Sequence, residues 1–331
     1  MTFENQPSSY LLIPADSRGP DHHTKEYTMS SELSLREGVI HGTPKRPLRA
    51  MHFAAGPGTT YPKRFFVERH WHRYLEILLI LKGDYQVEIN LETKNLHQGD
   101  LCLINSGELH QLTGVQPTAL HDAVLFDPQI LNFSYRDEWE DRYIAPLLEQ
   151  SRMIQNILHP WDKGYMDIHA LAADLTRAAL LKEDGWYIRC KILLLEIFEK
   201  LGRHGLFLPM EDAMSKKDAR KIARYKAIVS YMEEHCQEPV TLRQLADTVS
   251  CNTQYLCRFF REIAGMSPIQ YLISYRLERA CHMLAHTTLP VTAIALDCGF
   301  DNISYFIRKF KEIKGCTPKE YRKKTENETE H

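Results

Sequence analysis

Tyr255-Leu-Cys-Arg-Phe-Phe-Arg-Glu-Ile-Ala-Gly-Met-Ser-Pro-Ile-Gln-Tyr271 returns at an offset of 50 as Tyr305-Phe-Ile-Arg-Lys-Phe-Lys-Glu-Ile-Lys-Gly-Cys-Thr-Pro-Lys-Glu-Tyr321. Tyr, Arg, Phe, Glu, Ile, Gly, Pro and the closing Tyr keep their places, so one structural unit occurs twice. Upstream, Leu245-Ala246 matches Ile294-Ala295 at an offset of 49, which puts one extra residue in the second copy's turn near Gly299-Phe300. Each copy reads as a short helix, a tight turn and a longer helix. In the first, Thr241 caps a helix over Leu242–Val249, a turn follows at Ser250–Asn252, and a second helix runs over Thr253–Ala264 until Gly265 stops it. In the second, Val291–Cys298 ends at Gly299, and Asn302 or Ile303 opens a helix that Gly315 ends. Ser267-Pro268 and Thr317-Pro318 start further helices, since proline is tolerated in a first turn. This is helix-turn-helix geometry, whose second helix enters the major groove of DNA.

Helical spacing sorts the faces of the two longer helices. Leu256, Phe259, Phe260 and Ile263 pack inward in the first copy, as do Phe306, Phe310 and Ile313 in the second. Asn252, Thr253, Gln254, Cys257, Arg258 and Arg261 face outward in one, and Asn302, Ile303, Ser304, Ile307, Arg308 and Lys311 in the other. Arg and Gln can read base edges, while Thr, Ser and Lys serve phosphates. The alternative for Arg258 and Arg308 is a salt bridge to Glu262 or Glu312, four residues on. Between the copies, Ile269–Ala285 is helical by pattern, and its 17 residues span about 25 Å. With its ends added it can set two reading helices one duplex turn apart, about 34 Å.

Charge agrees with this placement. The 331 residues carry a net −2, but Lys216–Lys324 holds 19 basic and 11 acidic residues, a net of +8, which leaves −10 for the rest. A basic third on an acidic body suits a polyanion partner, although charge alone fits a merely solvated surface as well.

With these residues in view, Lys221–Lys324 resembles the DNA-binding region of the AraC/XylS family of bacterial transcription regulators. The resemblance rests on Leu245-Ala246, Tyr255-Leu256-x-Arg258-x-Phe260-Arg261-Glu262, Gly265-x-Ser267-Pro268-x-x-Tyr271, Ile294-Ala295-x-x-x-Gly299-Phe300 and Tyr305-Phe306-x-Arg308-x-Phe310-Lys311. It implies an all-α domain of two helix-turn-helix motifs joined by a linker helix, binding double-stranded promoter DNA and recruiting or excluding RNA polymerase. Cys257 departs from the pattern, standing where members often carry a longer polar residue.

The acidic body has a different texture. From Phe65 to Gly114 short runs alternate between glycines, as in β-structure. Period-two geometry puts His70, His72, Tyr74 and Glu76 on one strand face, with Leu78 and Ile80 continuing it and Trp71 opposite. His70-x-His72-x3-Glu76-x6-Gly83, then Gly99-x7-Gly107-x2-His110, resembles the two motifs of the cupin, a jelly-roll β-barrel, with Asn105 where the second motif usually has proline. His70, His72, Glu76 and His110 can converge as ligands for a divalent transition metal. In the family resembled, such a barrel serves as a sensor that captures a small effector, often a sugar. His70, His72, Tyr74, Glu76 and His110 are then effector-binding residues and no cofactor is required. Purely structural histidines are the third reading.

The resulting domain plan is an arm and entry strands at 1–60, a barrel core at 61–126, appended helices at 127–201, a linker at 202–217, the DNA-binding domain at 218–325 and a tail at 326–331. Helices are expected over Glu138–Ile157, Asp167–Glu183 and Tyr187–Leu201. The apolar stripe Ile188, Ile192, Leu193, Leu195, Ile197, Phe198 and Leu201 suits either packing on the barrel or a homodimer seam. The arm reads as a cover for the pocket. The longest apolar run, Ile77–Leu81, is far short of a membrane span, and Met1–Asp16 has no basic start before an apolar segment, so a cytoplasmic protein is expected. Eight scattered cysteines without a C-x-x-C pair read as reduced. Three functions follow: an effector-responsive transcription activator or repressor, which is not an enzyme; a metal-dependent cupin enzyme or metal sensor attached to DNA; and an architectural DNA binder.

Overall fold

The computed structural model describes residues 41–56, 59 and 64–329, the side chains of 324 and 326–329 excepted. Residues 1–40 of the expected arm, and so its role as a cover, lie outside the described residues. The barrel is built from β1 (Leu48–Ala54), β2 (Phe66–His70), β3 (Leu75–Lys82), β4 (Tyr85–Ile89), β5 (Glu92–Leu96), β6 (Leu101–Ile104), β7 (His110–Gly114) and β8 (Leu120–Phe126). They form two antiparallel sheets ordered β1-β8-β3-β6 and β2-β7-β4-β5. That order is the jelly roll of two Greek keys.

The central strands show why the barrel needs its helices. In β3, Leu78 and Ile80 point into the barrel with Cys102, Ile104, Ala123 and Leu125. Leu75, Ile77 and Leu79 point the other way, into a core shared with Ile168, Leu175, Leu193, Ile197 and Phe198. A sheet apolar on both faces must be covered on both. α2 (Tyr165–Leu181) and α3 (Trp186–Arg203) cover the outer one. Most of the α3 stripe is therefore internal, while Ile188 and Ile192 remain 60% and 42% exposed.

The helix expected over Glu138–Ile157 does not form as such. A π-helical turn at Glu140–Ile144 runs into α1 (Ala145–Leu148), Gln150 turns the backbone at φ 56°, and the chain continues as β9 (Arg152–Ile154) and β10 (Ile157–Leu158). The competing force is non-local. The Asn105 side chain accepts from Ile154 N at 2.7 Å and donates to Ile154 O at 2.9 Å, and β10 extends the first sheet on β6. The stretch 202–217 contains the end of α3, then β11 (Phe207–Pro209) paired with β9, and α4 (Met210–Ala213).

Seven helices follow among the described residues: α5 (Lys216–Glu234), α6 (Leu242–Thr248), α7 (Thr253–Ala264), α8 (Pro268–His286), α9 (Val291–Asp297), α10 (Ile303–Lys314) and α11 (Pro318–Thr329). Their ends are fixed by local chemistry. Thr241 with Gln244 and Ser267 with Gln270 form capping boxes, Asn252 and Asn302 cap α7 and α10, and Gly265 and Gly315 close them at φ 71°. α8 is shared, giving Tyr271 and Leu272 to the first unit's core and Leu277, Ala280 and Leu284 to the second's. Ile313 does not join its core and is 38% exposed. Its counterpart Ile263 is buried because Trp71 and Leu109 of the barrel complete that cluster, whereas the core of the second unit contains no barrel residue. No helix among the described residues is long and apolar enough to cross a membrane.

Candidate effector pocket and DNA-reading surface

β2 and its following turn bring His70 and His72 against His110 of β7, with ring centroids 4.2 Å apart for His70 and His110 and 4.9 Å for His72 and His110. Glu76 on β3 completes the group, its Oε2 lying 3.4 Å from Nε2 of both His72 and His110. Burial pushes the Glu76 carboxyl up, but hydrogen bonding and charge from His110 and His72 outweigh it and hold it well below the usual range. Of the four sequence-selected ligands, the three histidines cluster with donor atoms within 4.8 Å of one another, and Glu76 adjoins two of them, His72 and His110. Tyr74 lies beside them, its ring 6.0 Å from that of His72, but it is buried and its hydroxyl accepts from His41 N at 3.2 Å. His41 is the residue that sequence reasoning missed. Its buried ring lies 5.0 Å from Tyr74 and 6.1 Å from His72, and no motif or periodicity in that segment marks it.

Deeper in the barrel, His121 is packed against Phe65 and Phe53 and bonded to the Tyr85 hydroxyl at 2.8 Å. Desolvation drives its pKa down to about 3, so it is a neutral polar group in an aromatic wall. Glu108, next to the pocket, accepts from Asn105 N at 2.7 Å and from the Asn156 and Asn90 side chains at 2.7 and 3.0 Å. Burial still raises its pKa. It also lines a cleft where the barrel meets α5, with Gln150, Arg152, Met210, Met214 and Lys226.

On the DNA side, Thr253, Gln254, Arg258 and Arg261 on α7 are exposed, and so are Ser304, Ile307, Arg308 and Lys311 on α10. Cys257 and Ile303 are half-buried, and Ile303 packs on the second core. Asn252 and Asn302 use their side-chain oxygens as caps, each accepting from the backbone N of Tyr255 or Tyr305 at 2.8 Å. The intrahelical salt bridges weighed for the two arginines are replaced by others. Glu262 is taken by Lys221 at 2.6 Å and Glu312 by Lys309 at 2.8 Å. Arg258 and Arg308 instead lie over the rings of Tyr255 and Tyr305 at 5.9 and 5.3 Å. Their guanidinium groups keep the charge and the donor fork that base readout needs.

A ligand-binding barrel followed by two helix-turn-helix units defines a class: transcription regulators that sense and bind DNA with one chain. Residues 55–162 match the AraC-like ligand binding domain and residues 245–324 a helix-turn-helix domain. The chain belongs to the AraC family of transcription regulators. It is 25% identical over 262 residues to the uncharacterized HTH-type transcriptional regulator YdeC of Bacillus subtilis (strain 168), covering 78% of this chain and 87% of that one. To the HTH-type transcriptional activator RhaR of Cronobacter sakazakii it is 23% identical over 297 residues, 89% of this chain and 97% of that one. Among solved structures it is similar to the DNA-binding domain of AdpA in complex with a target DNA, at 27% identity and a TM-score of 0.29 over 30% of this chain and 89% of that one.

Proposed function

We propose that this chain is a cytoplasmic, non-enzymatic regulator that binds promoter DNA through α7 and α10, acts on RNA polymerase, and responds to a small effector captured in the barrel. The observation that carries it is the release of Arg258 and Arg308 from their helical glutamates, which Lys221 and Lys309 engage instead. Two equivalent arginines are thereby presented on the exposed faces of two repeated helices. The effector side is supported by a converging polar set, His70, His72, Tyr74, Glu76 and His110, which suits a carbohydrate or related polyhydroxy metabolite. Exposed Ile188 and Ile192 on α3 support a homodimer seam.

The test is footprinting of the full chain on DNA upstream of its own gene and its neighbours, with and without a panel of sugars and sugar acids. Discrete protected sites that disappear in an Arg258→Ala/Arg308→Ala variant, and shift with one compound, are expected. Only uniform, sequence-independent protection would refute specific promoter recognition.

A further inference from the structure

The two reading helices carry one stripe in two chemistries. On α7 it is Gln254, Cys257, Arg258 and Arg261, and at an offset of 50 on α10 it is Ser304, Ile307, Arg308 and Lys311. Residues three, four and seven apart lie along one helix face, so each stripe faces one groove. The arginine is kept at 258 and 308, but the position beside it is not. Cys257 is half-buried, whereas Ile307 is 39% exposed. Ile307 takes no part in the core beneath it. The buried residues of α10 are Phe306 and Phe310, and the partly buried apolar residues that this helix adds to the core are Ile303 and Tyr305.

Single exposed aliphatic side chains are ordinary on a protein surface, so exposure by itself carries nothing. Position separates Ile307 from them. It stands one turn beyond Ser304, next to Arg308 and one turn before Lys311, in a row that otherwise suits bases and phosphates. The lysines off that row are spent on ion pairs, Lys309 with Glu312 at 2.8 Å and Lys314 with Glu278. The helix is held firmly beneath it: Asn302 caps its start, and the Phe306 ring lies 5.0 Å from Phe300 and 5.7 Å from Phe310. A β-branched side chain on such a helix has little χ1 freedom to lose on contact. Isoleucine neither donates nor accepts, so at a base edge in the major groove it gains only against the thymine C5-methyl. Opposite a purine it would strip water from N7, O6 or N6 and return no hydrogen bond, and opposite cytosine the methyl is missing.

We propose that Ile307 determines specificity by reading a thymine methyl in the half-site under α10, beside the base pair held by Arg308, so that the operator's two half-sites are chemically unequal. The inference rests on the promoter-regulator reading and names the DNA chemistry that reading takes. α7 has two long side chains, Gln254 and Arg258, that can bond a base edge in pairs, which selects adenine and guanine. On α10, Ser304 is too short for a paired bond and Ile307 cannot make one, so Arg308 is its bidentate reader and the methyl contact supplies further discrimination. Burying one methyl between Ile307 and the base is worth about 4-fold in affinity. Exchanging the whole base pair costs more, about 5–150-fold, because polar groups are then left unpaired.

The experiment selects duplexes from a random pool with the full chain, then replaces each thymine of the selected site by deoxyuridine, which deletes only the C5-methyl. Affinities are measured by fluorescence anisotropy at one salt concentration. At one thymine, neighbouring the base pair whose preference Arg308→Ala relaxes, deoxyuridine is expected to weaken the wild type about 4-fold. Ile307→Ala binds the thymine and deoxyuridine duplexes alike, and Ile307→Val, still a branched aliphatic, keeps the penalty. Circular dichroism checks the fold of each variant, and the deoxyuridine scan on the wild type needs no variant at all. A scan without any penalty, or with penalties that are the same in wild type and Ile307→Ala, overturns the inference and leaves the promoter reading standing. Selection that returns no preferred sequence removes the promoter reading itself, and this inference with it.

Discussion

Gly299→Ala is the substitution whose outcome the structure constrains most tightly. Gly299 closes the turn of the second unit at φ 81°, and a Cβ there would stand 2.2 Å from the backbone oxygen of Cys236 and 3.0 Å from the Arg276 guanidinium. Arg276 is itself engaged, donating to Cys236 O at 2.7 Å and Glu238 O at 2.6 Å, so neither neighbour can withdraw without breaking the junction between the units. Gly265 and Gly315 have φ 71° and open space around an added Cβ, so they supply internal controls. All three alanines incur left-handed strain of about 1–2 kcal/mol. Only position 299 adds a clash with backbone, and relieving an overlap of this kind costs about 1–3 kcal/mol more. Gly299→Ala therefore loses about 2–5 kcal/mol, against about 1–2 kcal/mol for the controls. Native-state hydrogen exchange on the full chain gives opening free energies for α8 and α10 separately from the barrel. Equal losses in all three variants would refute the claim that Gly299 is required by its contact with Cys236.

Arg308→Ala should weaken operator binding by about 1–3 kcal/mol and relax preference at one base pair, while Lys309→Ala, whose charge is held by Glu312, leaves the preference intact; equal discrimination by wild type and Arg308→Ala in a binding-site selection would exclude direct readout by that residue. Operator affinity should fall linearly on a log–log plot against salt, by about 0.9 log units per decade for each phosphate neutralised; a flat profile in fluorescence anisotropy would remove the basic third as the DNA surface. His121 is neutral when folded, with a pKa of about 3 caused by burial, whereas an unfolded imidazole titrates near 6.5. The unfolded chain therefore binds the extra proton, and stability present above about pH 6.5 declines by about 1.4 kcal/mol per unit as pH falls toward 3. His121→Gln removes that contribution, so denaturation midpoints at pH 5 and pH 7 should converge relative to wild type; an unaltered acid slope counts against the assignment.

What could be read from sequence was whatever local chemistry decides. Thr241 begins a helix because it caps its own third residue onward, Ser267-Pro268 opens another, and Gly265 and Gly315 end one because only glycine takes that φ readily. Asn252 and Asn302, read as DNA-facing, spend their side-chain oxygens on the same kind of cap. His70, His72, Tyr74 and Glu76 do not share one strand face as period two implied. β2 ends at His70, the chain bends at 73–74, and Glu76 lies on β3 in the other sheet, so the group converges because the two sheets face each other. His110 was legible through its spacing from two glycines. Asn105, noted only as a departure from proline, proves to be the residue that fastens β9 to the barrel. That pairing was invisible because its partner lies 49 residues away, and so 138–157 looked helical by its own composition. Ile313 and Trp71 illustrate the same limit: apolar character was plain for both, but which neighbour would cover them depended on where the barrel sits.

The two helix-turn-helix copies are near equals in sequence and unequal in structure. The core of the first is closed by Trp71 and Leu109, and its α5 and α7 are tied to the barrel through Lys226 and Arg69. The core of the second is made of its own residues and the far half of α8. Whatever binds in the barrel therefore has a direct mechanical route to α5 and α7, and a route to α10 through α8 and the Arg276 junction. Meanwhile Thr253, Gln254, Arg258 and Arg261 remain exposed with the seam formed, so docking on the barrel does not by itself mask the first reading helix. Control by occlusion of that face is thus disfavoured by geometry. Control by setting the position and rigidity of α7, with α10 following on a stiff connecting helix, is the arrangement these contacts support, because two helices must fit successive grooves together and a small rotation of one relative to the other is enough to break the fit.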